Sequence, residues 1–268
     1  MFSVVIPVGP GRDASDALAS LGGAGLREND EVILVGDGHV PDVAPPFAGL
    51  PLRILSLREC GGANAARNEG ARAAGCPWVC FLDDDDAYAE GFLDVVRERV
   101  TERPEALAWS AGWRIQSGQR VRFARRPAVM RESHLWKRNH AGGCSSMIVQ
   151  RGLLDDLGGF DEAMPSMQDW DMWLRIARQH GIYVLNDPLV LYNDHAGPRI
   201  STNPEARLAG LERLLQKHGG RWPRSVRAFH RARFQSERCA AGKCAWTAVP
   251  QVGAPLASLY FLARALTR

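Results

Sequence analysis

Short apolar runs alternate with polar stretches through the first hundred residues of the chain. Four runs have the length and the Val, Ile and Leu content of buried strands: 3–8, 31–36, 52–57 and 78–82. A glycine-led, alanine-rich segment over 61–75 and the apolar spacing over 88–100 predict helices among these strands. Strands that alternate with helices form parallel sheets, so the pattern predicts an α/β fold.

The second half of the chain has a less regular pattern. Three shorter strand candidates indicate an inserted or mixed-sheet half: 106–115, 120–125 and 145–150. The elements predicted after them are a helix, two strands and a further helical stretch, at 167–180, 182–185, 189–192 and 203–238. We therefore expect one main domain over residues 1–220 and a helical C-terminal extension over 221–268.

Charge and cysteine content indicate the surroundings in which the chain works. The net charge is +3, but residues 221–268 carry nine Lys/Arg against Glu237 alone. The chain begins directly with a predicted strand, and we interpret its six cysteines as reduced thiols, so the cytoplasm is the expected location. No nucleic-acid partner is expected.

The C-terminal extension contains 20 consecutive uncharged residues, 244–263. This reaches the length of a membrane span, but Pro250 and Pro255 interrupt it, so we do not expect it to span. Two interpretations stay open. The segment packs on the protein's own body, or it lies peripherally on the inner face of the membrane, with neighbouring arginines facing anionic headgroups.

Four consecutive aspartates, residues 83–86, follow the strand candidate that ends at Leu82. Two unit charges about 4 Å apart interact by roughly 1 kcal/mol in bulk water and by several-fold more near a protein surface, so this run needs a counter-ion. Ligands of open α/β sheets bind at the carboxyl ends of strands, and carboxylate oxygens suit Mg²⁺ or Mn²⁺. The run predicts a divalent-metal site, with a solvated acidic surface as the alternative.

A glycine-rich turn follows the first strand candidate. Residues 9–14 match G-x-G-x-x-A, and Asp37 ends the second strand candidate, as in dinucleotide-binding folds. However, Pro10 stiffens the turn that should wrap a pyrophosphate, and hydride transfer has no use for four clustered carboxylates. A dinucleotide-dependent oxidoreductase and a metal-dependent nucleotidyltransferase are kept as alternatives.

Five motifs in a fixed order account for more of the chain. They are VVIPV at 4–8, EVILVGDG at 31–38, ARNEG at 66–70, FLDDDD at 81–86, and GFDE at 159–162 followed by QDWDMWLR at 168–175. Together they resemble the family 2 glycosyltransferases of GT-A fold, in which a Rossmann-like mixed sheet is flanked by helices. The resemblance covers roughly residues 2–203.

The resemblance implies a nucleotide-sugar donor half over about 1–105 and an acceptor half over about 106–220. The donor-binding positions that match its motifs are Pro7, Asp37, Arg67, Asp83 and Asp84. Asp37 would accept a hydrogen bond from the base, usually uracil, Arg67 would lie near the base or diphosphate, and Asp83 would reach the ribose. The turn after VVIPV lacks an aromatic residue that the family usually has there, which makes the identity of the base less secure.

The cofactor that the resemblance implies is Mn²⁺ or Mg²⁺. Asp85 aligns with the metal-coordinating acid of the family's DxD motif, and His195 is a second candidate ligand, with a surface histidine as the alternative. Asp86 is expected to cap the helix that follows.

On the acceptor side, Asp169 aligns with the family's catalytic base. An acceptor hydroxyl must lose its proton as it attacks, which requires one positioned carboxylate, and a partly apolar setting would raise its pKa. Trp170 and Trp173 are predicted to stack on acceptor sugar rings. The structural alternatives are a helix cap for Asp169 and core packing for the tryptophans.

The implied function is inverting, metal-dependent transfer of a sugar from a nucleotide-diphosphate donor, expected to be a UDP-sugar, to an acceptor hydroxyl. The acceptor would be a glycan, a lipid-linked molecule or a small molecule, in cell-surface glycan, glycolipid or polysaccharide synthesis. A non-catalytic nucleotide-sugar-binding protein is the remaining alternative.

Overall fold

The computed structural model describes residues 1–43, 49–115, 126–193 and 203–240. The predicted strand at 120–125, the candidate ligand His195 and the uncharged segment 244–263 lie outside the described residues. None of the helices in the described ranges combines the length and the hydropathy that crossing a membrane requires.

The described residues form nine strands and eight α-helices. The strands are β1 (Phe2–Val8), β2 (Glu31–Gly36), β3 (Leu52–Ser56), β4 (Trp78–Phe81), β5 (Ala87–Tyr88), β6 (Ala108–Ile115), β7 (Val129–Met130), β8 (Met147–Gln150) and β9 (Ile182–Tyr192). The helices are α1 (Ser15–Leu21), α2 (Gly62–Ala73), α3 (Phe92–Glu102), α4 (Glu132–Leu135), α5 (Arg151–Asp156), α6 (Gln168–Gln179), α7 (Pro204–His218) and α8 (Arg224–Ala240).

The described strands make one mixed sheet in the order β3-β2-β1-β4-β8-β6-β9-β5, with β7 paired to β9. Strands β1 to β4 are parallel where they pair, whereas β8 runs antiparallel to both β4 and β6. The carboxyl ends of β1, β2 and β4 therefore meet at one edge. Ligands of open α/β sheets bind outside such an edge, so the topology favours a site there.

Strand β1 lies at the centre of the core and is buried on both faces. On one face, Val4 and Ile6 pack in a cluster with Leu18 of α1 and Phe92 of α3, all at most 2% exposed. Complete burial of such a side chain stabilises the fold by about 1.5–3 kcal/mol. On the other face α2 packs closely, because a Cβ added to Gly70 would lie 2.3 Å from Cγ1 of Val5.

Most predicted elements are present, with two differences. Tyr88, predicted to begin a helix, lies instead in β5, which pairs with β9, and α3 begins only at Phe92. The two strands predicted at 182–185 and 189–192 are one strand, β9, whose pairing with β6 is irregular around Gly112. A Cβ at Gly112 would lie 2.2 Å from the carbonyl oxygen of Asp187, so the irregularity depends on a glycine.

The chain divides into two compact units. One comprises Met1–Glu162 together with α6 from Asp169 onward and β9, and the other comprises Ala163–Gln168 together with α7 and α8. The predicted domain boundary near residue 220 stays a prediction, but α7 and α8 fall in one unit although the boundary separates them.

Two features hold the second unit together locally. The side chain of Asn203 caps α7 by accepting hydrogen bonds from the backbone N–H groups of Glu205 and Ala206. Arg207 of α7 donates to Glu237 of α8, a carboxylate that is 1% exposed.

The state of the cysteines differs from the prediction at one position. Four cysteines are free thiols: Cys60, Cys76, Cys80 and Cys144. Cys239 is disulfide-bonded, so the expectation that all six are reduced is wrong for this residue.

Candidate active site

The acid run lies at the edge where the parallel strands end. Strand β4 stops at Phe81, and Leu82 N–H donates to the carbonyl of Val5, so the chain leaves β4 beside the end of β1. Asp37 follows β2 at the same edge, with its N–H bonded to the carbonyl of Val8. Pro7 is a buried residue of β1, paired in register with Val35, one position before the strand ends.

Arg67, which is buried, and Asp83, which is partly exposed, form an ion pair. Arg67 of α2 is 3% exposed, and its Nη2 lies 2.5 Å from Oδ1 of Asp83. Burial opposes the charge of the guanidinium, but the interactions with Asp83, Cys144 and Asp169 together outweigh it, so the pKa of Arg67 is raised. The ring of Phe160 lies 5.6 Å from Cζ of Arg67 and covers it from one side. The structure thus brings two predicted donor-binding residues into direct contact.

A second arginine, which the sequence analysis did not single out, neutralises the next two aspartates. Arg12 Nε lies 2.8 Å from Oδ2 of Asp84, and its Nη2 lies 2.9 Å from Oδ2 of Asp85. Burial still raises the pKa of Asp84, because the interaction with Arg12 opposes that shift only in part.

The glycine-rich turn after β1 presents this arginine. The N–H of Arg12 donates to the carbonyl of Gly9 and closes the turn, Gly11 adopts φ +68°, and the N–H of Gly9 donates to Asp84. A positive φ favours glycine, which explains one glycine of the motif. The segment that matched a dinucleotide fingerprint is therefore a turn that directs an arginine to the acid run.

Asp86 has a different environment from its neighbours. It is 7% exposed and accepts a hydrogen bond of 2.5 Å from Ser145 Oγ, which in turn accepts one from the backbone N–H of Asp83. Burial and the nearby charge of Asp83 raise the pKa of Asp86. The prediction that Asp86 caps the next helix is wrong, because α3 starts at Phe92 after Gly91.

Asp37 contacts the start of α2. Its carboxylate accepts hydrogen bonds from the backbone N–H of Gly61 at 2.6 Å and of Gly62 at 3.0 Å. These groups would otherwise be unpaired donors at a helix N-terminus. Its predicted contact with a nucleotide base stays a prediction.

Helix α2 also holds the GFDE segment. Asn68 donates to the carbonyl of Phe160 at 2.9 Å and to Glu162 at 2.8 Å, and it accepts from the N–H of Phe160 at 2.7 Å. Gly159 adopts φ +70°, and a Cβ there would lie 2.5 Å from Oδ1 of Asn68. Two motifs that are about ninety residues apart are thus joined by one asparagine.

Asp169 is held by neutral donors. Asn139 Nδ2 donates to its Oδ2 at 2.9 Å, and its own neighbour Trp170 donates a backbone N–H to Oδ1 at 2.7 Å. Burial raises the pKa of Asp169 to about 6, even though both hydrogen bonds and the charge of Arg67 oppose this. Such a carboxylate is ionised at neutral pH and is a stronger base than an exposed aspartate.

The structure contradicts the predicted stacking role of the two tryptophans. Trp170 is 3% exposed and Trp173 is fully buried. Their indole N–H groups donate to the carbonyls of Leu135 and Gly142 respectively, so both rings are anchored inside the protein. They support the start of α6 and the segment that carries Asn139, and neither offers a face to a sugar.

The donor chemistry of the acid run fits a divalent cation in part. Within the described ranges, no three His, Cys, Asp or Glu side chains are grouped to hold a metal ion. A Mg²⁺ ion, however, commonly takes only one or two protein carboxylates and completes its shell with phosphate oxygens and water. Asp85, whose side chain is 26% exposed, supplies such an oxygen if Arg12 moves aside.

Comparison with known proteins supports the family resemblance of the sequence motifs. The family model for glycosyl transferase family 2 matches residues 14–158. The chain is 26% identical over 196 residues to the Bacillus subtilis glycosyltransferase YwdF, itself uncharacterized, which covers 70% of this chain and 73% of that protein. It is 28% identical over 208 residues to the pre-mycofactocin glycosyltransferase of Mycobacterium tuberculosis, covering 72% of this chain and 42% of that protein.

Solved structures show the same fold. TarS of S. aureus, residues 1–349 in complex with UDP-GlcNAc, superimposes with a TM-score of 0.63 at 18% identity, over 89% of this chain and 72% of that chain. The UDP complex of the same fragment gives a TM-score of 0.61 over the same shares. With a family model that matches more than half of its length, this chain belongs to glycosyl transferase family 2 and has the GT-A fold.

Proposed function

We propose that this glycosyltransferase moves a sugar from a UDP-sugar to an acceptor hydroxyl with inversion at the anomeric carbon, and that the reaction depends on a divalent metal. One observation carries the proposal. Arg67 and Asp83 form an ion pair at the edge where nucleotides bind in such sheets, and the charges of both act on the pKa of Asp169. The two proposed donor-binding residues are thus close enough to Asp169, the proposed base, for their charges to affect its pKa.

On the donor side, the chain's own residues orient the nucleotide. Asp83, held by its ion pair with Arg67, would accept hydrogen bonds from the ribose. Asp37 would face the base with the oxygen lone pairs that Gly61 and Gly62 leave free. Asp85 would hold Mn²⁺ or Mg²⁺. Such a cation supplies positive charge to the departing diphosphate.

On the acceptor side, Asp169 removes a proton. The acceptor oxygen forms a bond to the anomeric carbon as its proton passes to the carboxylate of Asp169, and the bond from that carbon to the diphosphate oxygen breaks. UDP leaves with the electron pair. Because the acceptor attacks the face opposite to UDP, one displacement inverts the configuration.

The UDP-sugar donor is supported by the TarS complexes with UDP-GlcNAc and UDP, which share the fold. The proposal includes a glycan, lipid-linked or small-molecule acceptor used in cell-surface glycan or polysaccharide synthesis. It also places the enzyme in the cytoplasm, where segment 244–263 would make peripheral contact with the inner face of the membrane.

Two alternatives have lost their support. The oxidoreductase hypothesis required the turn at residues 9–14 to bind a pyrophosphate. Instead, Arg12 of this turn forms an ion pair with the acid run, and the matched family consists of transferases. A non-catalytic binding protein would have Asp169 turned away from the donor residues, whereas Arg67 and Asp83 both act on its pKa.

A ligand screen tests the donor and the metal together. Thermal unfolding would be followed with UDP, GDP, ADP and their sugar derivatives, each with and without Mn²⁺. A ligand at 100 times its dissociation constant adds about 2.7 kcal/mol to the stability, so the correct base should raise the melting temperature measurably. We expect the largest shift with a uridine nucleotide and Mn²⁺.

The variant Asp85→Ala sharpens the screen. It should lose the Mn²⁺-dependent part of the shift and keep most of the metal-independent part. Asp155→Ala, at an exposed position of α5, is the matched control. If Asp85→Ala responds to Mn²⁺ as the unsubstituted protein does, Asp85 is not the metal ligand.

A further inference from the structure

Arg126 is a cation whose side chain contacts no carboxylate among the described residues. Its Nη1 donates to Ser110 Oγ at 2.6 Å and its Nη2 donates to the carbonyl of Leu185 at 2.7 Å, both neutral groups. Its Cζ lies 4.8 Å from the ring centre of Trp113. Among the described residues it forms no ion pair, and burial lowers its pKa to about 10.

This arrangement is costly unless something else supplies negative charge. A charged group that is taken out of water needs a compensating charge, and a missing one shows as a pKa shifted towards the neutral form. A guanidinium carries five N–H donors, and the two contacts at Nη1 and Nη2 leave others available. The remaining donors of Arg126 suit a bidentate bond to a carboxylate or a phosphate.

Further basic side chains lie close to Arg126. The pKa of His140 is lowered by burial and by the nearby charges of Arg138, His134 and Arg126. Arg138 is exposed and, within the described part of the chain, has no ion pair. The one carboxylate of α4, Glu132, is bound to Arg178 at 2.9 Å and is therefore already neutralised. We call Arg126, Arg138 and His140 the basic wall.

The basic wall is connected to the proposed base through short contacts. Ser110 Oγ, which accepts from Arg126, donates to the carbonyl of Ala141 at 2.6 Å. The next carbonyl, that of Gly142, accepts from Asn139 at 2.8 Å, and Asn139 lies between two members of the wall and holds Asp169. Because Arg138 and His140 flank Asn139 in the chain, the segment that positions Asp169 also carries two members of the wall.

We propose that the acceptor carries an anionic group, a phosphate or a carboxylate, close to the hydroxyl that is glycosylated, and that Arg126 and Arg138 bind this group. The inference rests on the proposed function, because it identifies the wall with the acceptor side of the same site. It narrows the acceptor to phosphorylated polyols, phosphate-bearing lipids and acidic glycans. It also gives a specific role to residues that no predicted motif contains.

Small probes test the proposal without knowledge of the acceptor's sugar. The full-length protein is saturated with UDP and Mn²⁺, so that the donor site is occupied, and binding is followed by ligand-observed NMR. The probes are glycerol 1-phosphate, glycerate and glycerol, which share a hydroxyl and differ in charge. We expect the two anions to bind at least roughly tenfold more tightly than glycerol, a difference of about 1.4 kcal/mol.

Two variants test whether the anions bind at the basic wall. Arg126→Gln and Arg138→Gln should each weaken binding of glycerol 1-phosphate several-fold and leave glycerol unchanged. Arg103→Gln, at a site whose side chain is 63% exposed, is the control and should have no effect. Because Arg138 lies on the surface, its variant should fold even if Arg126→Gln does not.

The outcomes separate this inference from the proposed function. Equal binding of anions and glycerol, or anion binding that neither variant weakens, overturns the anionic acceptor. If UDP does not bind, the proposed UDP-sugar donor is wrong instead. The probe titrations are then repeated without UDP and still test the anionic acceptor. A parallel titration with dihexanoylphosphatidic acid distinguishes the sources, since tighter binding than glycerol 1-phosphate points to a lipid headgroup and weaker binding to a polyol phosphate.

Discussion

The two sides of the site handle charge in opposite ways. In the acid run, Asp83 is paired with Arg67, and both Asp84 and Asp85 are paired with Arg12. Around Asp169 the nearest hydrogen-bond donors are neutral, and the arginines of the basic wall have no carboxylate partners among the described residues.

The difference agrees with the role that we propose for each carboxylate. A carboxylate that binds a ribose or a metal works as an anion, and a paired cation keeps it ionised. A carboxylate that accepts a proton must not be held in the charged form too strongly, since a lowered pKa makes it a weak base. The neutral contacts of Asp169 leave burial as the dominant influence on its pKa.

The largest effect is expected when the proposed base, Asp169, loses its carboxylate. Asp169→Asn removes the proton acceptor, so sugar transfer should fall by about 10² to 10⁴-fold, which is the usual contribution of general base catalysis. Nucleotide binding, measured by calorimetry, should stay within a few-fold of the unsubstituted value. Asp155→Asn on the exposed side of α5 serves as the control, and transfer that persists in Asp169→Asn would exclude this residue as the base.

The second change removes the cation from the pair of Arg67 and Asp83. Arg67→Met leaves the partly buried carboxylate of Asp83 without its counter-charge and should lower the free energy of unfolding by about 1–3 kcal/mol. Urea unfolding measures this through the midpoint. Arg27→Met breaks a pair between exposed side chains, Arg27 with Asp94, and should cost far less. Similar losses in both variants would contradict the stabilising role of Arg67.

A third change alters the pKa of the base without removing it. The hydrogen bond from Asn139 lowers the pKa of Asp169, which is about 6, so Asn139→Ala should raise that pKa. Activity needs the ionised carboxylate and is lost as the pH falls through the pKa. The acid limb of the kcat/KM profile should therefore move to higher pH in Asn139→Ala.

The control for this pH profile is Ser133→Ala, at an exposed position of α4. Its acid limb should coincide with that of the unsubstituted enzyme. An acid limb that does not move in Asn139→Ala would show that a group other than Asp169 limits activity at low pH.

The smallest effect is expected at Arg12. Without this side chain, Asp84 and Asp85 lose their counter-charge, so Arg12→Ala should bind Mn²⁺ a few-fold more tightly in the absence of nucleotide. Mn²⁺ binding is measured directly by electron paramagnetic resonance. Arg53→Ala removes a comparable arginine, paired with Glu31 at 3.2 Å, and should leave Mn²⁺ affinity unchanged. Weaker binding in Arg12→Ala would mean that the arginine supports the metal site.

The donor half of the site was largely readable from the sequence. The strands at 3–8, 31–36 and 78–82 are present within a residue or two, and the polar residues that follow them lie at one edge of the sheet. Local patterns sufficed because side chains after parallel strands converge by topology alone.

The other half depended on contacts between distant segments. Asn139 reaches Asp169 across 30 positions of sequence, and Arg126 reaches Ser110 and Leu185 from a stretch without a recognisable pattern. The tryptophans beside Asp169 had the composition of a sugar-binding surface, but packing buried both of them. The composition of a segment shows that it contains aromatic residues. It does not show whether their side chains face the core or the solvent.

Strand periodicity is a local property of the chain, so it sufficed to predict the α/β fold and the position of the acid run after β4, while the family resemblance made Asp169 the candidate base. Which charges are neutralised became clear only in the folded protein. Arg12 reaches Asp84 and Asp85 through a glycine turn, Arg67 reaches Asp83 from inside the protein, and Arg126 has no such partner among the described residues. The charge balance of a site depends on distances across the fold, which spacing along a chain does not specify.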